Sequence, residues 1–343
     1  MKKLLNTLFV TTEDIYLAEE NEYVVLYRKD KKVGQFPLHI LDNIITFAYP
    51  GASPFLMGKC VERGIGLTFM KPNGKLLCRV NGISHGNVLL RKEQYRISDD
   101  EKRAIPYARN MILGKIYNAR WTLGRYERDY PMRINIEKIN KATQILNQYM
   151  IDIRKADSMI QLRGIEGNSA AEYFSCFDEM ILNQKDDFFF ANRNRRPPLD
   201  NVNAMLSFCY TLLASDCANA LEAVGLDAYV GFMHADKPGR QSLALDLMEE
   251  LRSSFADRFV LSMINQKQIC KKDFYKSADG AVRFTDDARK QIVIAWQNKK
   301  NSEITHPYLQ EKVKWGLVPY VQALLLSRVI RGDLEEYPPF LWK

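Results

Sequence analysis

The sequence predicts an α+β fold, with a small N-terminal β-domain over residues 1–86 followed by a larger all-α domain over 87–343. Three observations carry this. Short β-branched and aromatic runs separated by charged turns fill about the first ninety residues. Apolar spacing changes to a helical period near Asn87. The 343 residues, 46% of them apolar, suffice for two cores.

Residues 14–18 and 23–27 read as strands, with Lys29-Asp30-Lys31-Lys32 an exposed turn after them. Residues 44–48 form a strand that runs into the breaker Tyr49-Pro50-Gly51. Residues 66–70 and 76–80 read as a hairpin around Lys71-Pro72-Asn73-Gly74-Lys75, because Asn and Gly tolerate positive φ. Beyond Asn87, Val88, Leu89, Leu90, Ile105, Met111, Ile112, Ile116 and Leu123 recur at helical spacings amid Lys and Arg. Pro106 is expected in the first turn of a long helix, where its missing N–H does little harm. No fixed-period repeat stands in either half.

Several classes drop out on composition. The apolar run Leu8-Phe9-Val10 behind Met1-Lys2-Lys3 is too short for a signal peptide, and no stretch approaches about 20 uncharged apolar residues. A cytoplasmic protein is expected. The six cysteines are scattered without a C-x-x-C pair, which excludes the common zinc and iron–sulfur spacings and points to reduced core thiols. No Ser-His-Asp set, G-x-x-x-x-G-K-[ST] loop or G-x-G-x-x-G is present.

Lys and Arg exceed Asp and Glu by 49 to 41, a net charge of +8, which favours anionic partners, nucleic acid first. A basic but inert surface fits the charge alone equally well. The loop Asn192-Arg193-Asn194-Arg195-Arg196-Pro197-Pro198 sharpens the balance. Its prolines exclude a continuous helix, and three guanidiniums in four residues favour a phosphate-gripping loop over a solvated linker.

Two segments carry chemistry. From Glu166, Ala170, Tyr173, Phe177 and Ile181 follow at helical period, so Glu166 is expected to begin the buried face of a helix. A carboxylate there needs a proton, an arginine or a metal, although a capped, half-exposed helix start is the plainer reading. Further on, Pro238-Gly239 make a turn and Ser242 is a plausible N-cap for a helix with the ridge Leu243, Leu247 and Leu251. Asp246 and Glu249 project from one neighbouring face, and His234 can fold back toward it across the turn, although a lone histidine reads as readily as a satisfied core or surface residue. An imidazole among carboxylates, with no thiolate, suits Mg²⁺ or Mn²⁺ rather than a closed zinc cage. In a basic protein this points to metal-assisted phosphoryl transfer on nucleic acid.

Arg163-Gly164-Ile165-Glu166-Gly167, the run Arg196-Pro197-Pro198-Leu199-Asp200-Asn201-Val202-Asn203, and Gly231-Phe232-Met233-His234 through Leu247-Met248-Glu249-Glu250 closely resemble the CRISPR-associated adaptation integrases, the first-numbered Cas proteins. The resemblance runs end to end, including the closing Tyr337-Pro338-Pro339-Phe340, and its flavour is that of type I, subtype I-C. It implies a metal-dependent DNA endonuclease and integrase that inserts spacers by attack of a 3′-hydroxyl on a phosphodiester. It implies Glu166, His234 and Glu249 as ligands of Mg²⁺ or Mn²⁺, the third often Asp in relatives, with Asp246 a second acidic position implicated in activity. Lys237 matches a DNA-contacting position, and Arg193, Arg195, Arg196 and Arg240 are further candidates for phosphate contacts. Implied partners are double-stranded DNA, a second copy through the β-domains and the small ferredoxin-like second Cas protein, with no membrane. Three rivals stay open: a plain metal-dependent nuclease using water, a non-catalytic nucleic-acid-binding scaffold, and, disfavoured by charge, a small-molecule metalloenzyme.

Overall fold

The computed structural model describes residues 7–12, 14–41, 43–71, 76–80 and 88–343. The chain divides into two units. The first holds Met1–Gly86 with Arg283–Glu303 and Lys314–Leu317, and the second holds Asn87–Val282, Ile304–Val313 and Val318–Lys343.

The first unit contains β1 (Thr7–Val10), β2 (Tyr16–Glu20), β3 (Tyr23–Arg28), β4 (Lys31–Pro37), β5 (Asn43–Thr46), helix α1 (Pro54–Glu62), β6 (Gly66–Met70) and β7 (Leu76–Val80). One sheet has the order β1-β5-β6-β7, parallel except for the β6–β7 hairpin. The other is the antiparallel meander β2-β3-β4. The turn expected over residues 29–32 is tighter: Lys29 and Asp30 both take positive φ, and β4 begins at Lys31. The Pro-Asn-Gly turn of the hairpin and the changeover near Asn87 lie outside the described residues. Strand β1 and helix α1 carry no expectation from the pattern. α1 nevertheless has a local cause, because the Ser53 hydroxyl accepts from Leu56 N at 3.1 Å and Pro54 follows as the first helical residue. Leu17, Val24, Leu38, Ile44, Leu56 and Leu67 are fully buried and make this unit's core apolar.

The second unit is helical: α2 (Val88–Asp99), α3 (Glu101–Asp129), α4 (Ile136–Lys155), α5 (Met159–Ser175), α6 (Asn201–Ala223), α7 (Ser242–Glu249), a π-helical turn Arg252–Asp257 and α8 (Arg258–Asn265). Helix α9 (Asp286–Asn301) falls in the first unit, and α10 (Val318–Ile330) returns to the second. The C-terminal part is not wholly α. Short strands β8 (Phe274–Lys276) and β9 (Val282–Phe284) pair, as do β10 (Glu303–Thr305) and β11 (Lys312–Lys314). Pro106 also differs from expectation. Asp100 caps α3 by accepting from Lys102 N at 3.0 Å, so Pro106 sits inside the helix, past its first turn. The long α3 packs on α4, α5, α7 and the π-helical turn, which brings the helices that carry Glu166, Asp246 and Glu249 against one rod. Among the described residues, no helix is long and apolar enough to cross a membrane.

Candidate active site

Glu166 stands in the middle of α5 rather than at its start. The cap is Ser158, whose hydroxyl accepts from Gln161 N, and Met159 and Leu162 extend the buried stripe toward the N-terminus. Phe177 and Ile181 are buried but lie beyond the end of the helix at Ser175. Three residues before Glu166, the Arg163 guanidinium donates to the Met233 carbonyl at 2.7 Å, tying α5 to the loop that carries His234.

That loop is held from several sides. The Gln94 amide on α2 donates to the carbonyls of Asp227 and Val230, both at 2.8 Å, and the Ser98 hydroxyl donates to Gly231 O at 2.7 Å. Asp246 on α7 does the most. Its buried carboxylate accepts from the N–H groups of Phe232, Met233 and His234 at 2.6, 3.0 and 3.0 Å, and lies 2.5 Å from His234 Nδ1. Gly231 is required for this approach, because a Cβ there would stand 2.8 Å from both Asp246 Oδ2 and Ser242 Cβ. Ser242 is the first residue of α7 rather than its cap. Its hydroxyl donates instead to Ala235 O at 3.2 Å and so closes the same loop.

The consequence is chemical. In the neutral ring, the Asp246 carboxylate fixes the proton on His234 Nδ1 and leaves Nε2 with its lone pair, the arrangement by which carboxylates orient metal-binding histidines. Among the described residues, Nε2 makes no hydrogen bond. Both Asp246 carboxylate oxygens are thus taken up by the loop N–H groups and the His234 ring.

Glu249, at the end of α7, is 2% exposed and meets two cations. Lys115 Nζ on α3 lies 2.8 Å from its Oε2, and Arg252 lies 2.9 Å from its Oε1. The same Lys115 ammonium is in direct contact with Glu166 Oε1. Burial alone would raise the Glu249 carboxyl; Arg252 and Lys115 outweigh it and hold the group well below the usual carboxylate range. Sequence reasoning passed over Lys115 and Arg252. Lys115 has the buried Met111 and Ala119 one turn to either side, so a cation on an apolar stripe was its signal. Arg252 follows Glu249 by three residues, a spacing suited to an ion pair.

The structure therefore brings Glu166 and Glu249 together on Lys115, and His234 together with Asp246. Among the described residues, no three His, Cys, Asp or Glu side chains form a group that could hold a metal ion. The donor set nevertheless fits a divalent cation. Two carboxylates from separate helices already converge on one positive charge. Among the described residues, Glu249 Oε2 meets the Lys115 ammonium and no neutral donor. Oxygen donors with one imidazole are the ligands that Mg²⁺ and Mn²⁺ take.

The basic candidates divide. Arg193 is half-buried and braces its own loop, donating to Asn194 O and Asn203 Oδ1 at 2.6 Å and to Ser207 Oγ at 3.1 Å. Arg195, Arg196 and Lys237 are exposed, and Arg240 is half-buried with its Nε 3.3 Å from Ser242 Oγ. Beside Glu166 opens a cavity of about 540 Å³, with Lys115, Arg252, Arg193 and Arg195 on its walls among the rings of Tyr173, Phe174 and Phe190. A cavity with four cations beside a carboxylate pair suits a polyanion with flat, apolar parts.

The sequence family described as CRISPR-associated protein Cas1 matches residues 8–298. The chain is 47% identical over 343 residues to the CRISPR-associated endonuclease Cas1 1 of Chlorobaculum tepidum, with 100% of both chains covered. It is 44% identical over 347 residues to the endonuclease Cas1 2 of Rhodospirillum rubrum, again with 100% of both. Among solved structures, a casposase bound to integration product matches with a TM-score of 0.85 at 22% identity, covering 98% of this chain and 94% of that one. A Cas1 protein from Thermotoga maritima matches with a TM-score of 0.79 at 19% identity, covering 95% and 97%. Those two likenesses are of fold, whereas the curated relatives match in sequence along the whole chain. The chain belongs to the Cas1 family of CRISPR-associated proteins.

Proposed function

We propose that this protein is a metal-dependent DNA endonuclease and integrase of CRISPR adaptation, working in the cytoplasm, with Mg²⁺ or Mn²⁺ held by Glu166, His234 Nε2 and Glu249. The observation that carries the reading is the pair of carboxylates from α5 and α7 closed on a single positive charge, beside an imidazole whose proton is fixed away from its Nε2. Relatives of nearly half-identical sequence named as CRISPR-associated endonucleases support it. When bound, the ion would lower the pKa of an attacking hydroxyl and neutralise charge on the phosphate.

The chain's own residues supply the rest. Asp246 holds the His234 tautomer, and Arg163 and Ser242 hold the loop that presents it. Arg195 and Arg196, both exposed, offer guanidiniums to the DNA backbone, which position a duplex without reading its sequence. In the proposed reaction a 3′-hydroxyl of captured DNA forms a new P–O bond at the repeat edge. The 3′-oxygen of the cut repeat strand leaves and takes up a proton. The nucleophile belongs to the DNA, so no activated Ser or Cys is needed.

The proposed partners are double-stranded DNA, a second copy of the chain through residues 1–86, and the Cas2 protein. A fold neighbour, 22% identical, belongs to a Cas6-RT-Cas1–Cas2 complex. The test is incubation with a short duplex, a repeat-bearing plasmid, Cas2 and Mn²⁺. Joined strands support an integrase, nicked strands alone reduce it to a nuclease using water, and intact plasmid overturns both.

A further inference from the structure

We propose that Lys115 is the resident counter-ion of this site: its ammonium holds Glu166 and Glu249 together before a divalent cation binds, and must be displaced when one does. The inference rests on the metal-site reading above and goes beyond it by assigning a role to a residue outside the ligand set.

Two carboxylates drawn this close without a cation would repel, and Glu249 is nearly fully buried. Lys115, 11% exposed, lies between them from a third helix. Among the described residues, these two carboxylates are its only ionic partners. An ammonium in contact with both and a divalent ion coordinated to both require the same oxygens, so they exclude one another.

The neighbouring cation shows why the displaced group is Lys115. Arg252 is anchored on its far side, 5.0 Å over the Tyr210 ring, and touches Glu249 alone of the pair. Among the described residues, Lys115 has no such anchor. It is a compact charge on a flexible four-carbon stem, and it lines the cavity of about 540 Å³ that offers the ammonium somewhere to go. The lysine thereby pre-forms the carboxylate pair and sets a threshold for metal binding, because ion affinity is reduced by the contacts the ammonium gives up.

The experiment titrates Mn²⁺ into the full-length chain without DNA, by calorimetry, for wild type, Lys115→Met and Lys115→Arg. Lys115→Met should bind Mn²⁺ at least tenfold more tightly, because no internal cation competes. Its metal-free melting temperature should fall below that of wild type and rise further on adding Mn²⁺. Lys115→Arg should bind severalfold more weakly, because a guanidinium fork grips two carboxylates and leaves less readily. Unchanged or weaker Mn²⁺ binding by Lys115→Met overturns the inference. Should that variant not fold, Mn²⁺ binding by Lys115→Arg as tight as wild type overturns it instead. Folded wild type that binds no Mn²⁺ is a different failure and removes the metal-site reading itself.

Discussion

One peptide bond separates Glu249 from Glu250, both are buried, and their surroundings drive them in opposite directions. Around Glu249 stand Lys115 and Arg252, and its carboxyl stays anionic against the cost of burial. Among the described residues, Glu250 meets only neutral donors: Tyr337 OH at 2.5 Å, Phe340 N at 2.5 Å and Gln322 Nε2 at 3.2 Å. There burial prevails and pushes the carboxyl up to about 8. The contrast teaches that hydrogen bonds alone do not keep a buried acid ionised, whereas fixed cations do. Adjacent glutamates are thereby sorted into one that presents negative charge and one that clasps residues 337–340 against α3, with Gly114 leaving room for its side chain.

The largest effect should come from Glu249→Ala. Metal-dependent strand joining should fall by about 10³-fold or more, as loss of several kcal/mol of transition-state stabilisation implies. Stability should fall as well, by roughly 3 kcal/mol, because a buried arginine loses its counter-charge. Denaturant titration beside the joining assay reads both. Removing a ligand brings no relief of repulsion between bare carboxylates. In the structure Lys115 already offsets that repulsion.

A smaller effect is expected for Asp246→Asn, which exchanges an acceptor for a donor facing His234 Nδ1 or the loop N–H groups. Metal affinity should weaken by roughly 10–100-fold, as for other residues that orient a ligand, and a Mn²⁺ titration measures it.

Glu250→Gln sharpens the contrast by pH. The folded Glu250 carboxyl, at about 8, lies above the ordinary 4.5. The stability it contributes is fully present below pH 4.5 and is lost as pH rises toward 8. The glutamine carries no such proton, so its stability relative to wild type should rise by roughly 3 kcal/mol between pH 5 and pH 8. Urea midpoints at the two pH values test this, and strand joining should change little. A parallel pH response in both proteins would mean that Glu250 is ionised like its neighbour. The smallest change is Tyr337→Phe, which removes one donor to Glu250 and should cost about 1–2 kcal/mol in the same titrations.

What was legible in the sequence follows from which forces are local. Alternation and turn chemistry placed β2, β3 and the β6–β7 hairpin, because strand faces and tight turns are written within a few residues. Helix α1 escaped because Pro50-Gly51 and Ser53-Pro54 lie close together, and the first pair ends a strand while the second begins a helix. Glu166 reads as a helix start when its stripe is taken only forward to Ile181, whereas Met159 and Leu162 continue it toward the N-terminus. Glu166, His234 and Glu249 were singled out from their motifs. That Lys115 would lie between the two glutamates was not legible, since a lysine on an amphipathic helix reads as solvent-facing and its partners come from α5 and α7. Arg193 shows the reverse: its loop reads as a phosphate grip, and the fold also sets its guanidinium on Asn203 and Ser207, contacts that no spacing in the sequence announces.

The most direct test of the metal site is a paired measurement on wild type and His234→Ala, each shown to be folded. It scores Mn²⁺-dependent joining of a short 3′-hydroxyl duplex to repeat-bearing DNA, and duplex affinity at fixed salt. His234 gives up an imidazole whose tautomer Asp246 sets, while the cations that attract DNA stay in place. Joining should vanish in His234→Ala with duplex affinity nearly unchanged. A His234→Ala protein that joins strands as well as wild type would contradict the assignment of Glu166, His234 and Glu249 as one metal site.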